Sequence, residues 1–286
     1  MKWFCSLKGY GDFVVACKFL RNEPSDRIRF LCERHIQSLH RAIGCPVEAD
    51  WIDTGENRSF PAAFDVRCQG LKAAARSMRL IRSAVHRRNI RSDTLLFETL
   101  GMRERIIAWP IACDEVGRTT NSIYESYGRY LGLPHDISSH RPVSKIESIG
   151  VFPDARLPHK VLNDTLLGSI SAACARRQLR LTIFRVGKDG RRQLTGVPVH
   201  SIGSFEELIA AIRSSDIVVS ADSLPAHLAE YFGIPVFVFA YQGRNYWTPS
   251  SSIANGGFAM YREPERLGAW MDDIASRKSL REVNAL

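Results

Sequence analysis

Three polar side chains that could hold a phosphate fall within one short stretch of the sequence, at Asp222, Ser223 and His227. The residues before them, 217–220, are mostly β-branched and bounded by polar residues, which predicts a buried strand. Residues 224–232 have helical spacing, so the polar residues lie at the start of a helix. A helix N-terminus carries unsatisfied N–H groups and a partial positive charge that suit a diphosphate, to which Ser223 can add a hydroxyl and His227 a ring nitrogen. An ordinary helix cap and a buried histidine explain the same residues, and the spacing alone leaves both interpretations open.

Two further residues could take part in chemistry near the ends of predicted strands. Asp12 follows a strand and a glycine-containing turn, and it precedes a helix predicted over 13–20. A carboxylate at that edge of a parallel sheet suits a general base that takes a proton from a hydroxyl, although an N-cap for the helix is the plainer alternative. Lys160 is predicted to begin the helix over 161–177, where its charge could neutralise a leaving diphosphate or simply lie exposed to solvent.

The remaining polar segments carry weaker signals. Residues 241–247 form an aromatic and polar loop that could stack on a ligand or anchor packing. No His, Cys or carboxylate cluster has metal-ligand spacing, so we expect no metal site and no cofactor. The sequence has no G-x-G-x-x-G after the first strand, no G-x-x-x-x-G-K-[ST] and no G-x-S-x-G. The seven cysteines are scattered without a C-x-x-C and are expected to be reduced and mostly buried.

The elements that must position these residues alternate between strands and helices along the chain, which predicts the α/β class with parallel sheets. Strands are predicted at 3–7, 27–32, 47–52, 94–97, 106–109, 146–152, 181–186, 217–220, 236–239 and 258–261. Helices are predicted at 13–20, 35–43, 71–88, 122–131, 161–177, 205–213, 224–232 and 264–277. Residues 134–145 are polar, contain two prolines and lack periodicity, so they are the best linker. We therefore expect two α/β domains, 1–140 and 146–286, facing each other across a ligand-binding cleft.

Positive charge is concentrated in the first half of the chain. Residues 1–145 hold 23 Lys and Arg against 16 Asp and Glu, which places +7 of the net charge of +9 there. The helix predicted over 71–88 carries part of this excess as a stripe formed by Lys72, Arg76, Arg79, Arg82 and His86. The stripe suits an anionic glycolipid acceptor or a membrane surface, and it equally suits a solvated helix face. No recognised nucleic-acid-binding module is present, so nucleic acid is not expected as a partner.

Two motifs resemble glycosyltransferase family 9, the lipopolysaccharide heptosyltransferases. The first is the D-[ST]-G-x-x-H-L-A…G-x-P-x motif, matched by Asp222-Ser223, His227-Leu228-Ala229 and Gly233-Ile234-Pro235-Val236. The second is the G-D motif after the first strand, matched by Gly11-Asp12. Lys160 stands where the family has its phosphate-contacting lysine. In organisation, the resemblance covers most of the chain.

The resemblance implies a GT-B architecture of two Rossmann-like domains, the first for the acceptor and the second for the nucleotide-sugar donor. It implies an inverting, metal-independent transfer of a sugar such as a heptose to a hydroxyl of a cell-envelope glycan such as lipopolysaccharide. Asp12 is then the catalytic base. The donor is held by Lys160, Asp222, Ser223, Leu224 and His227.

Leu224 departs from the family pattern, which usually has glycine after Asp-[ST]. A side chain at this position narrows the approach of a donor to the backbone. This departure motivates an alternative function, a non-catalytic sugar-nucleotide-binding or glycan-binding protein on a degenerate glycosyltransferase scaffold. No apolar run reaches the length of about 18 residues that crosses a bilayer, and the N-terminus lacks the pattern of a signal peptide. The expected location is therefore the cytoplasm, with peripheral contact at the inner face of the membrane.

Overall fold

The computed structural model describes residues 1–6, 9–21, 27–53, 70–91, 94–98, 114–116, 120–132, 143, 145–186, 196–243 and 246–283. The chain divides into two compact units, Met1–His135 and Asp136–Leu286. Each unit is an α/β structure built on a parallel sheet. The predicted strand 106–109 and the basic loop 187–192 lie outside the described residues, as does most of the predicted linker.

The first unit contains a five-stranded parallel sheet in the order β3-β2-β1-β4-β5. Its strands are β1 (Lys2–Ser6), β2 (Ile28–Glu33), β3 (Ala49–Ile52), β4 (Leu95–Phe97) and β5 (Asp114–Glu115). Its helices are α1 (Tyr10–Leu20), α2 (Gln37–Ala42), α3 (Gly70–Arg87) and α4 (Ile123–Leu131). Apolar side chains of the central strands, including Phe4, Cys5, Leu31 and Phe97, are fully buried, as expected for a parallel sheet covered on both faces.

Helix α3 agrees with the amphipathic helix predicted from the sequence. Along the part whose side chains the structure describes, Ile81 and Ala84 are buried whereas Arg79, Arg82 and His86 are exposed. The basic stripe therefore faces solvent over these residues. Among the described residues, no helix combines the length and apolar character needed to cross a bilayer.

The second unit contains a six-stranded parallel sheet in the order β11-β10-β9-β6-β7-β8. Its strands are β6 (Ser148–Phe152), β7 (Arg180–Val186), β8 (Val199–Ile202), β9 (Ile217–Ala221), β10 (Val236–Ala240) and β11 (Phe258–Met260). Its helices are α5 (Asp164–Ala175), α6 (Phe205–Arg213), α7 (Leu224–Phe232), α8 (Ser250–Ala254) and α9 (Glu265–Val283). The order of the strands reverses between β6 and β9, which creates a topological switch point at their carboxyl ends, where sheets of this kind bind ligands.

Asp216 joins the two strands that flank this switch point. Its Oδ2 atom accepts hydrogen bonds from the backbone N–H groups of Glu147 at 3.0 Å and Ser148 at 2.9 Å, and from the Ser148 hydroxyl at 2.9 Å. One carboxylate oxygen thus holds the start of β6 against the residue before β9. Asp216 thus helps to align β6 and β9 at their amino ends, and this alignment contributes to the position of their carboxyl ends, where the switch point lies.

Two helix starts differ from the predictions. Helix α1 begins at Tyr10, and not at residue 13, because Gly9 adopts an extended N-cap conformation and Gly11 lies inside the helix. Residues 158–160 form a 3-10 turn, and α5 begins only at Asp164, since the Asn163 side chain accepts a hydrogen bond from Leu166 N at 2.9 Å. Lys160 therefore ends a short turn, and the prediction that it begins the helix is wrong.

Three other elements were not predicted, and those around residues 217–239 agree with the predictions. The strands β5 and β8 and the short helix α8 were not predicted. The strand, turn, helix and strand predicted over 217–239 are present as β9, α7 and β10. Helix α7 ends at Gly233, which adopts the left-handed conformation with φ of 69° that glycine reaches without strain.

Candidate functional site

An ion pair lies at the carboxyl edge of the second sheet, on both sides of its switch point. Lys160, in the turn after β6, places its Nζ atom 2.5 Å from Oδ2 of Asp222, the residue after β9. The Asp222 side chain is only 6% exposed, whereas the Lys160 side chain is 30% exposed. The carboxylate is therefore held in the protein interior by a cation that still reaches solvent. The structure thus brings together two of the residues that sequence reasoning singled out separately.

The backbone of Lys160 is fixed by a second contact. The Tyr261 hydroxyl, just after β11, donates a hydrogen bond to the carbonyl oxygen of Lys160. Burial raises the pKa of the Tyr261 phenol, and the nearby negative charge of Asp222 raises it further. The phenol therefore stays protonated and keeps its hydrogen-bond donor at physiological pH.

Ser223 is the N-cap residue of α7, but its side chain does not cap the helix. Its backbone is extended, and its hydroxyl donates a hydrogen bond to the carbonyl oxygen of Asp154 at 3.0 Å. Pro225 lies in that first turn, where its missing N–H costs no hydrogen bond. The Ser223 side chain thus does not itself satisfy the N–H groups of the helix N-terminus.

His227, one turn into α7, is an uncharged imidazole near neutral pH. Its side chain is buried, and this burial lowers its pKa to about 4, although the negative charges of Asp222 and Glu230 oppose the shift. The positive charge of Lys160 adds to the lowering. A neutral imidazole can donate one hydrogen bond to a phosphate oxygen or a sugar hydroxyl, but it brings no full positive charge.

Leu224 occupies the first position of α7 and is 6% exposed. Its side chain is therefore part of the packed interior and does not project into solvent in front of the helix. The departure from the glycine of the family motif is accommodated by burial. The backbone around Ser223 and Leu224 keeps the strand-to-helix geometry that the motif predicts.

Asp154 is a site residue that sequence reasoning missed. Its Oδ1 atom lies 3.0 Å from Nη1 of Arg185, and its Oδ2 accepts a hydrogen bond from Val186 N at 2.8 Å. Burial raises the pKa of this carboxyl, and the Val186 N–H and Arg185 oppose the rise. Asp154 thus connects the end of β7 to the N-cap of α7, since its carbonyl accepts from Ser223. The available sequence signal was its position, two residues beyond the end of the predicted strand 146–152.

Asp12 belongs to the first unit and lies in the first turn of α1. Its Oδ2 atom accepts a hydrogen bond from Gly9 N at 3.3 Å, so the side chain stabilises the start of the helix from its third position. The N-cap residue is Gly9, so the predicted N-cap role of Asp12 is wrong. The residue is partly exposed at the carboxyl edge of the first sheet, which also leaves it able to contact a ligand. The contact with Gly9 is compatible with a catalytic role for Asp12, which stays a prediction.

Two other carboxylates that sequence reasoning missed lie at this edge. Glu98 directly follows β4, is 1% exposed and accepts a hydrogen bond from the Ser6 hydroxyl at 2.9 Å. Glu33 ends β2, with its Oε2 atom 3.1 Å from Nδ1 of His35. Each follows a run of apolar strand residues, which was the available signal. Across the described parts of both units, no group of three or more His, Cys, Asp or Glu residues is arranged to hold a metal ion.

Comparison by sequence gives no relatives: no family model matches the chain. No curated protein matches its sequence either. Comparison of structures does give similar folds. A family 9 glycosyltransferase from Veillonella parvula aligns with a TM-score of 0.58 at 14% identity, over 90% of this chain and 85% of that chain.

Two E. coli heptosyltransferases are similar to the same extent. ADP-heptose lipopolysaccharide heptosyltransferase II aligns with a TM-score of 0.57 at 11% identity, over 98% of this chain and 100% of that chain. The heptosyltransferase WaaC, solved with ADP-2-deoxy-2-fluoro heptose, aligns with a TM-score of 0.55 at 12% identity, over 99% of both chains. The predicted resemblance to glycosyltransferase family 9 is thereby confirmed at the level of the fold, and the chain has the GT-B fold of these heptosyltransferases.

Proposed function

We propose that this chain is a glycosyltransferase that moves a sugar from a nucleoside-diphosphate sugar to a hydroxyl of an acceptor glycan. The single observation that carries the proposal is the Lys160–Asp222 ion pair beside the N-terminus of α7, which the Ser223 side chain does not cap. This arrangement lies at the switch point of a parallel sheet, where an anionic ligand can use the helix N–H groups. The GT-B fold, shared with enzymes that use nucleotide sugars, supports the same conclusion.

In the proposed reaction, residues of the second unit hold the donor. When the diphosphate binds, Lys160 exchanges the Asp222 carboxylate for a phosphate oxygen, and Asp222 accepts a hydrogen bond from the donor sugar. The diphosphate is contacted by the N-terminus of α7, by the backbone around Ser223 and Leu224, and by the neutral His227 ring. Together they stabilise the negative charge that builds on it as it leaves.

The first unit supplies the acceptor side of the proposed reaction. Asp12 takes the proton of the acceptor hydroxyl as its oxygen attacks the anomeric carbon from the face opposite the diphosphate. The new C–O bond forms as the bond to the diphosphate oxygen breaks, so the anomeric configuration is inverted. No metal takes part in this scheme, because Lys160 and the helix N-terminus meet the charge of the leaving group. The domain roles are thus acceptor binding for 1–140 and donor binding for 146–286.

The finer assignments are part of the proposal. A heptose is the favoured sugar and an anionic cell-envelope glycan such as lipopolysaccharide the favoured acceptor, since two similar structures are heptosyltransferases. The exposed basic face of α3 suits such an acceptor or the inner face of a membrane. The proposed location is the cytoplasm.

The first test is thermal stabilisation of the purified protein by ADP, GDP, UDP and CDP, since a ligand that binds only the folded state raises the melting temperature. We expect one nucleotide to stabilise the wild-type protein and to stabilise Lys160→Met much less. Lys145→Met, which removes a lysine whose side chain is 77% exposed, is the matched control and should respond like the wild type. If no nucleotide stabilises the wild-type protein, the proposal of a donor site is wrong.

A second candidate function is a non-catalytic sugar-nucleotide-binding or glycan-binding protein. It is motivated by the leucine at position 224, which stands where the family motif has glycine, although the side chain is buried. The two functions differ in turnover and not in donor binding. Asp12→Asn should bind the donor like the wild type and lose transfer to the acceptor if the chain is an enzyme. Donor binding without any transfer by the wild-type protein, over a panel of glycan acceptors, would favour the non-catalytic function.

A further inference from the structure

Tyr241, the residue after β10, is a large aromatic side chain that faces solvent. It is 57% exposed, and among the described residues only Met1 shares this property of being a large, exposed hydrophobic side chain. A tyrosine that served only as a packing anchor would be expected to bury its ring. The exposed ring is therefore available to contact a ligand.

Two other rings hold Tyr241 at the edge of the sheet. The His159 ring lies 5.6 Å from it at an interplanar angle of 62°, and the Tyr261 ring lies 6.2 Å from it at 79°. Both contacts have the edge-to-face geometry that aromatic pairs prefer. We call Tyr241, His159 and Tyr261 the aromatic rim. The rim positions the Tyr241 ring without covering it.

The aromatic rim is directly connected to the Lys160–Asp222 ion pair. His159 precedes Lys160 in the same 3-10 turn, and Tyr261 donates its hydroxyl hydrogen to the carbonyl oxygen of Lys160. Tyr261 is also close enough to Asp222 for that carboxylate to affect its ionisation. Tyr241 is therefore separated from the ion pair by a single layer of side chains, on the β10–β11 side of the switch point.

We propose that the Tyr241 ring is the platform on which the glycosyl ring of the donor stacks. This inference rests on the proposed function and names the part of the donor that this side of the site binds. The C–H groups of one face of a sugar ring form an apolar surface that packs on an aromatic face, and its hydroxyls stay at the perimeter within reach of polar groups such as the His159 ring. Asp222, on the same side, is the residue assigned to the donor sugar. The opposite side of the site is occupied by the Asp154–Arg185 pair.

The test compares a nucleoside diphosphate with its sugar conjugate in the full-length protein. Dissociation constants for ADP against ADP-glucose, and for UDP against UDP-glucose, are measured by calorimetry for the wild type, Tyr241→Phe and Tyr241→Leu. We expect Tyr241→Leu to bind the sugar conjugate about ten-fold more weakly while binding the diphosphate within about two-fold of wild type, because only the conjugate carries the stacked ring. Tyr241→Phe keeps the ring and should bind both ligands like the wild type.

Each other outcome has a defined meaning. If Tyr241→Leu weakens the binding of the diphosphate and of the sugar conjugate equally, the Tyr241 ring contacts the nucleobase and not the sugar. If it weakens the binding of neither, the Tyr241 ring does not contact the donor. Either result would overturn this inference and leave the proposed function standing. A wild-type protein that binds neither ADP, UDP nor their glucose conjugates, and that GDP and CDP do not stabilise either, would overturn both. The melting temperature of each variant, expected to match that of the wild type for an exposed side chain, excludes misfolding as the cause.

Discussion

Replacing Lys160 by methionine tests the ion pair at the proposed donor site through protein stability. The Asp222 carboxylate stays buried in this variant but loses the cation 2.5 Å away. Breaking a fully buried ion pair costs about 3–5 kcal/mol. Because the Lys160 side chain is 30% exposed, solvent screens part of this interaction, and we expect a smaller loss of about 2 kcal/mol.

The loss should appear as a lower melting temperature. A change of about 2 kcal/mol corresponds to a decrease of roughly 4–8 °C for a unit of this size. Calorimetry or circular dichroism without ligand measures it, with Lys145→Met as the exposed control that should melt like the wild type. The double variant Lys160→Met/Asp222→Asn removes the unpaired charge and should regain part of the lost stability. If Lys160→Met melts within 1 °C of the control, a value of roughly half a kcal/mol or less, the ion pair does not stabilise this site and the argument from it fails.

Three further predictions concern the same unit. His227 has a pKa of about 4 in the folded protein and about 6.5 in the unfolded chain, so the unfolded chain binds the proton first as the pH falls. The free energy of unfolding should therefore fall by up to about 3 kcal/mol between pH 6.5 and pH 4. Urea denaturation measures this, and the free energy of unfolding of His227→Gln should depend less steeply on pH. Asp216→Ala removes an oxygen that accepts three hydrogen bonds and should lower the unfolding free energy by about 2 kcal/mol, and an unchanged urea midpoint would contradict this. Gly233→Ala places a side chain on a residue with a φ of 69° and should lower the free energy of unfolding by about 1 kcal/mol in the same assay. Its control is Gly168→Ala, within α5 and with open space around the added methyl group, which should not destabilise the protein.

The strand-turn-helix around Asp222 was predictable because its signals are local. A β-branched run, a cap residue, a proline in the first turn and a glycine at the end lie within a few residues of each other, and each acts on the backbone nearby. The same reasoning predicted the parallel α/β class. It failed at the start of α5, where the capping asparagine at 163 was overlooked, and at β8, whose short polar sequence has no clear strand pattern.

The contacts of the site were not predictable because they join distant parts of the chain. Lys160 and Asp222 are 62 positions apart, and Ser6 and Glu98 are 92 apart. Sequence reasoning placed Lys160 near phosphate chemistry through its position at a predicted helix start and through the family resemblance, and neither indicated Asp222 as its partner. Only the order of the strands shows that the turn after β6 and the turn after β9 are neighbours. For the same reason, nothing local indicated that the Ser223 hydroxyl would bond to the carbonyl of Asp154 and not cap its own helix.

The ion pair also has a consequence for which anions the proposed donor site would retain in the presence of inorganic phosphate or sulfate. A small anion that takes Lys160 leaves Asp222 buried beside a second negative charge, so each such encounter is opposed from within the protein. A ligand that carries a phosphate and a hydroxyl at the right spacing satisfies both members of the pair at once. In the proposed donor site, the pair would therefore select against simple anions and favour molecules that offer an acceptor for the lysine and a donor for the aspartate together.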